Sequence, residues 1–162
     1  MSRSLRIIVL ATAALVASMA FAGSALAQGA PKFHAATSAV NNDGALVASW
    51  DERGLGNDNI DYTLTADAEA VFACINRGGN HPEAANKETV NAEVSANGSF
   101  EPKNGRIQAS LTAGPPSAGD FSCPGGQRLV FASVEYTNIV LTDTTNGVTA
   151  TLPDVSRVFL SV

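Results

Sequence analysis

The chain has few residues with which to build a conventional reaction centre. Its 162 residues include two cysteines, two histidines, one tryptophan and two tyrosines. No G-x-S-x-G occurs, which removes the nucleophile-elbow route to a serine hydrolase. No H-E-x-x-H occurs, which removes the common metalloprotease helix. Gly78-Gly79 and Gly125-Gly126 lack the Lys-Ser/Thr that completes a phosphate-binding loop. His81-Pro82-Glu83 fits half of the zinc-deaminase signature, but Cys123 has no second cysteine after it to supply the other half. A metal site built from His34, His81, Cys74 and Cys123 would lack every ordinary ligand spacing. No metal and no cofactor is expected.

Basic charge is also scarce. All 15 acidic residues but only 8 of the 10 basic ones follow Ala27, for a net charge of −7 on that part. Such a surface repels phosphate backbones and anionic bilayers, and no basic cluster offsets it. Neither nucleic acid nor, after leader removal, a membrane is expected as a partner.

Long apolar runs are confined to the start. Arg3 and Arg6 precede an apolar and small-residue run, Ile7–Ala22, of about 16 residues. That is short of the roughly 20 needed to span a bilayer. Ala25-Leu26-Ala27 then supplies the small-x-small pattern of signal-peptidase cleavage. Residues 1–27 read as a signal peptide cut after Ala27, and 28–162 as a secreted, extracellular domain. Residues 28–33 read as a flexible tail. Export makes a Cys74–Cys123 disulfide the default. Closing a loop of about 50 residues stabilises a fold by about 4 kcal/mol in the chain-entropy picture.

What the chain has in plenty is strand and turn signal. Asp43-Gly44, Asn97-Gly98, Asn104-Gly105 and Asn146-Gly147 are all hairpin-turn dipeptides. Strand-like segments flank them: 36–40, 45–51, 90–96, 107–113, 129–134, 136–142, 148–152 and 155–162. The clearest alternation spans 60–75. Ile60, Tyr62, Leu64, Ala66, Ala68, Ala70, Phe72 and Cys74 share one parity. Asp61, Thr63, Thr65, Asp67 and Glu69 share the other, so one face is buried and one is wet. The strand is long enough to predict a bend or bulge near 66–70. Past Glu69, Val71, Ala73 and Ile75 join the wet parity, which predicts cover on both sides. The expected fold is all-β: a single antiparallel β-sandwich, immunoglobulin-like in the broad sense, with one disulfide. It departs from true immunoglobulin domains because Trp50 precedes both cysteines.

Several constellations remain open. Asp51, Glu52, Asp58, Asp61, Asp67 and Glu69 concentrate acidity, and Asn57-x-Asn59-x-Asp61 imitates the start of a calcium loop. The glycine that should follow is Tyr62, and position twelve is Ala68. The acids fit the wet face of a strand better. Trp50, Tyr62 and Tyr136 read as core. Asn97-Gly98-Ser99 is a glycosylation sequon.

Two polar loops stand out, 76–88 beginning after Cys74 and 114–127 containing Cys123. A disulfide would fasten both to one pole. Loops on a rigid scaffold are common binding surfaces. The first expectation is therefore a non-enzymatic secreted binding or interaction module. Candidate contacts are Arg77, Asn80, His81, Asn86, Lys87, Asp120 and Gln127, facing an extracellular protein, glycan or small ligand. The alternatives are a small hydrolase using His81 with a loop acid, and a small-ligand carrier with an apolar cleft.

The segments Glu52-Arg53-Gly54-Leu55-Gly56, Cys74-Ile75-Asn76-Arg77-Gly78-Gly79, Ala85-Asn86-Lys87 and Cys123-Pro124-Gly125-Gly126-Gln127 carry a resemblance over most of the mature chain. Together they resemble a group of small exported bacterial β-domain proteins of unassigned function. The likeness brings no catalytic residue with it. A looser similarity is to the apoproteins of enediyne chromoproteins, small acidic secreted sandwiches, and it implies the carrier reading. Those proteins have two disulfides, and this chain can form one.

Overall fold

The computed structural model describes residues 29–76, 78 and 86–162. The predicted signal peptide lies outside them, as does Gln28 of the predicted tail. Eight strands follow in order: β1 (Lys32–Val40), β2 (Leu46–Arg53), β3 (Ile60–Asn76), β4 (Lys87–Phe100), β5 (Arg106–Ala113), β6 (Gln127–Asp143), β7 (Val148–Thr151) and β8 (Val155–Val158). No helix occurs among the described residues.

The strands form two antiparallel sheets. The smaller has the order β1-β2-β5, and the larger β4-β3-β6-β7, with β8 also on β6. β7 pairs with Val140–Asp143 and β8 with Ser133–Tyr136, so the two continue one edge. Pro153 separates them; it has no N–H to continue the ladder. The side chain of Arg157 donates to the Val40 carbonyl at 3.2 Å and ties that edge to β1.

Alternation explains the core. Leu46, Ala48 and Trp50 on β2 face Tyr62, Leu64, Tyr136, Ile139 and Leu141 of the other sheet in a single cluster. Trp50 and Tyr62 pack with ring centroids 4.7 Å apart and planes tilted by 43°. The predicted parity of β3 holds along its length, and Ala73 and Ile75 are buried as well. β6 cannot keep one parity over 17 residues and match β3 throughout. Register shifts fall between Thr65 and Asp67 and between Val71 and Phe72. The extra residues belong to β6, at 138–139 and at 132; the first irregularity falls at Ala66, within the stretch expected to bend or bulge, but on the partner strand. Asn138 takes a positive φ of 51° there. The shift moves the buried set from Val134 and Tyr136 to Ile139, Leu141 and Asp143.

The structure corrects several other expectations. The tail is shorter than 28–33, because Lys32 and Phe33 open β1 and Phe33 packs against the core beside Tyr62. His34 follows them in β1. Segments 129–134 and 136–142 are one strand, since the bulges absorb the irregularity without ending the ladder. β8 stops at Val158, where the backbone N–H groups of Phe159 and Leu160 turn to the Ala132 carbonyl. Asn97-Gly98 is not a turn. It lies inside β4, opposite Thr63 and Tyr62.

Candidate functional site

β3 ends, β4 begins and β6 begins at one pole. The Cys74–Cys123 disulfide forms there, with Cα atoms 5.5 Å apart across a separation of 49 residues. Cys74 lies on the buried parity of β3, so the bond is anchored in the core rather than on the rim. The backbone N–H of Cys74 donates to the Asn86 carbonyl at 3.0 Å. The Asn86 side-chain amide donates to Gln127 Oε1 at 3.1 Å. Gln127 pairs with Asn76 at the start of β6, and its N–H donates to Pro124.

Four of the expected binding residues are thus placed. Asn86 and Gln127 touch each other across the pole. Lys87 follows Asn86, opposite Ala73, and lines a surface groove of about 400 Å³ with Val71, Thr89, Ser133, Val158 and Leu160. Asp120 is exposed on the loop between β5 and β6. In that loop Phe121 and Ala118 pack against the core and hydrogen-bond through their backbones at 3.1 Å. Arg77, Asn80 and His81 lie outside the described residues.

The acidic residues of the calcium reading do not converge. Asp51 projects from the smaller sheet, where Arg106 and Arg53 hold it at 2.7 and 2.8 Å. Those guanidiniums, Arg106 first, keep its carboxyl well below the usual range. Glu52, one residue on, faces the core. Asp67 and Glu69 lie on the outer face of the larger sheet. With Glu93 and Glu135 they line a groove of about 470 Å³. Asp67 stands opposite Glu93, and Glu69 opposite Glu135. Like charges at directly paired positions work against a sheet; Asp67 is eased by the Asn138 amide at 2.7 Å. Among the described residues no group of three or more acids, histidines or cysteines could hold a metal ion.

A second polar cluster escaped sequence reasoning. Glu52 and Asp143 are fully buried. Tyr62 donates to Glu52 Oε2 at 2.7 Å. Asp143 accepts from the backbone N–H of Asn146 at 2.8 Å and from its side-chain amide at 2.6 Å. Burial pushes Glu52 up to about 7; the Tyr62 hydrogen bond opposes this, and the neighbouring Asp143 adds to it. Burial also raises the Tyr62 hydroxyl, with Glu52 adding to the rise. The signal was in the alternation: Glu52 shares parity with Leu46, Ala48 and Trp50, and Asp143 with Ile139 and Leu141. A general acid must lie within hydrogen-bonding reach of its substrate, and neither carboxyl is exposed to one. The grooves at about 470 and 550 Å³ lie on the surface among polar side chains, not in an apolar cleft between sheets and loops. No family model, no curated protein and no solved structure matches the chain.

Proposed function

We propose that the mature chain is a non-enzymatic secreted binding or interaction module. It is a β-sandwich, immunoglobulin-like in the broad sense, exported on residues 1–27. Its working face is the pole where loops 76–88 and 114–127 meet, and its partner is an extracellular protein, glycan or small ligand. The observation that supports this reading is the double fastening of that pole. One link is covalent, Cys74–Cys123; the other is the Asn86–Gln127 hydrogen bond. Fastened in this way, Asn86, Lys87 and the 114–127 loop present polar groups with little ordering cost left for binding. A disulfide also fits an oxidising compartment.

Photo-cross-linking in the protein's own culture medium tests the reading. A photoreactive residue replaces Lys87, Asp120 or, at the opposite pole, the exposed Asp58. The expected result is a defined adduct from positions 87 and 120 and none from 58. Adducts from 58 alone, equal adducts from all three, or none from any would each overturn it.

A further inference from the structure

The end of the molecule away from the disulfide holds an unbalanced polar group. Glu52 belongs to the smaller sheet and Asp143 to the larger. Both are sealed from solvent. Tyr62 satisfies one oxygen of Glu52, and Asn146 satisfies Asp143 twice. Glu52 Oε1 has no hydrogen-bond donor. A buried carboxylate oxygen left without a donor is costly. A proton on Oε1 would convert it from acceptor to donor, and Asp143 is the neighbouring carboxyl: it pairs in the ladder with Tyr62, the residue that donates to Glu52. Two carboxyls sharing one apolar site cannot both ionise cheaply.

We propose that a proton held by Glu52 beside the buried Asp143, between the two sheets, latches the end of the molecule remote from the disulfide. Removing it leaves two negative charges facing each other in the core. The sheets then loosen where loops 54–59, 101–105 and 144–147 meet.

Among the described residues packed around Glu52 no cation is placed to neutralise the second charge; the unpartnered N–H of Trp50, beside Tyr62, is neutral. β3 contributes Tyr62, β6 contributes Asp143, and the loop after β6 contributes the neutral Asn146. β1, β4 and β5 bring the uncharged Phe33, Phe100 and Ile107 to this part of the core. Arg53 and Arg106, paired with each other in the smaller sheet, are engaged with Asp51 on its outer face. The sheets are tied independently away from this end, by Tyr136 at the middle of β6 to Gly44, so the loosening stays local.

The sign follows from linkage. Glu52 binds its proton more tightly in the folded state, with a value of about 7 against an ordinary 4.5. Its contribution is fully present below the ordinary value and is lost as pH rises through the folded one.

Carboxyl-resolved NMR of the full mature chain, labelled at Glu and Asp, tests the latch from about pH 4 to pH 9, with amide exchange followed in parallel. The expected midpoint for Glu52 is near neutrality. Amides of 50–62 and 141–147 lose about tenfold protection across the same midpoint, while those of 72–75 do not. Asp143→Asn lowers the Glu52 midpoint, and Glu52→Gln abolishes the step in exchange. Trp50, the only tryptophan and a ring neighbour of Tyr62, reports the same step by fluorescence. A Glu52 titration in the ordinary carboxylate range overturns the proposal, as does flat exchange across neutrality or an unchanged step in Glu52→Gln. The wild-type titration decides the matter even where a variant does not fold.

Discussion

Tyr136 donates its hydroxyl hydrogen to the carbonyl oxygen of Gly44 at 2.8 Å. The bond runs from the middle of β6 to the turn between β1 and β2, and so joins the two sheets. Both groups are buried, and burial raises the Tyr136 hydroxyl above its usual value. Tyr136→Phe keeps the ring and leaves the Gly44 carbonyl without this donor. The expected loss is about 1–3 kcal/mol in urea unfolding, the range for an unmet buried acceptor. A loss near zero would mean that water reaches that carbonyl.

The disulfide predicts two measurements. Thiol counting on the unreduced protein should find no free cysteine, since Cys74 and Cys123 pair. Cys74→Ala with Cys123→Ala should lower unfolding stability by about 4 kcal/mol, the loop-closure value for a link of this length. Both loops leave the pole through strands that the sheet still holds. The double variant should therefore fold, with extra amide exchange confined to 114–127.

Strand positions were legible because period-two burial is local. On β3, Ile60 to Cys74 announces its inner face without reference to any partner. The turns Asp43-Gly44 and Asn104-Gly105 were legible for the same reason: Gly44, Asn104 and Gly105 all take positive φ. The bulges on β6 were not. They arise from matching β6 to both β3 and the β7–β8 edge, which depends on residues far apart in sequence. Much the same divides the polar sites. The pole could be read from two cysteines and two polar stretches. The burial of Glu52 and Asp143 was visible as parity, but their meeting across the sheets is a tertiary fact.

Asp51 should shape the acid limb of stability. Arg106, then Arg53, holds its carboxyl well below the usual range. A depressed carboxylate contributes stability above its unfolded value and loses it as pH falls through the folded one. Wild type should therefore exceed Asp51→Asn in stability at neutral pH. The gap should close progressively in acid, below the ordinary carboxylate range. Denaturant unfolding at a series of pH values checks this. A gap that persists in strong acid would show that Asp51 acts by packing instead. Because the pair is at the surface, added salt should narrow the neutral-pH gap.

Gly98 and Gly147 both follow asparagine, but the structure uses them differently. Gly147 has a φ of 71° and open space around its Cα. Any side chain there meets backbone strain, so Ala, Ser and Leu should each cost about 1 kcal/mol, with little dependence on size. Gly98 lies within β4 without a positive φ, and a Cβ there would come 2.9 Å from Leu111 Cδ2 and from Phe100 Cε2. The restriction is space rather than conformation. Gly98→Ala must displace both the Leu111 side chain and the Phe100 ring, which packs on Trp50 and Tyr62, and should cost about 1 kcal/mol. Gly98→Leu should cost about 1–3 kcal/mol by overpacking. Thermal melts of the two series separate the mechanisms: size-dependent loss at 98, size-independent loss at 147. Equal losses for Ala and Leu at 98 would restore the turn reading that Asn97-Gly98 suggests in sequence.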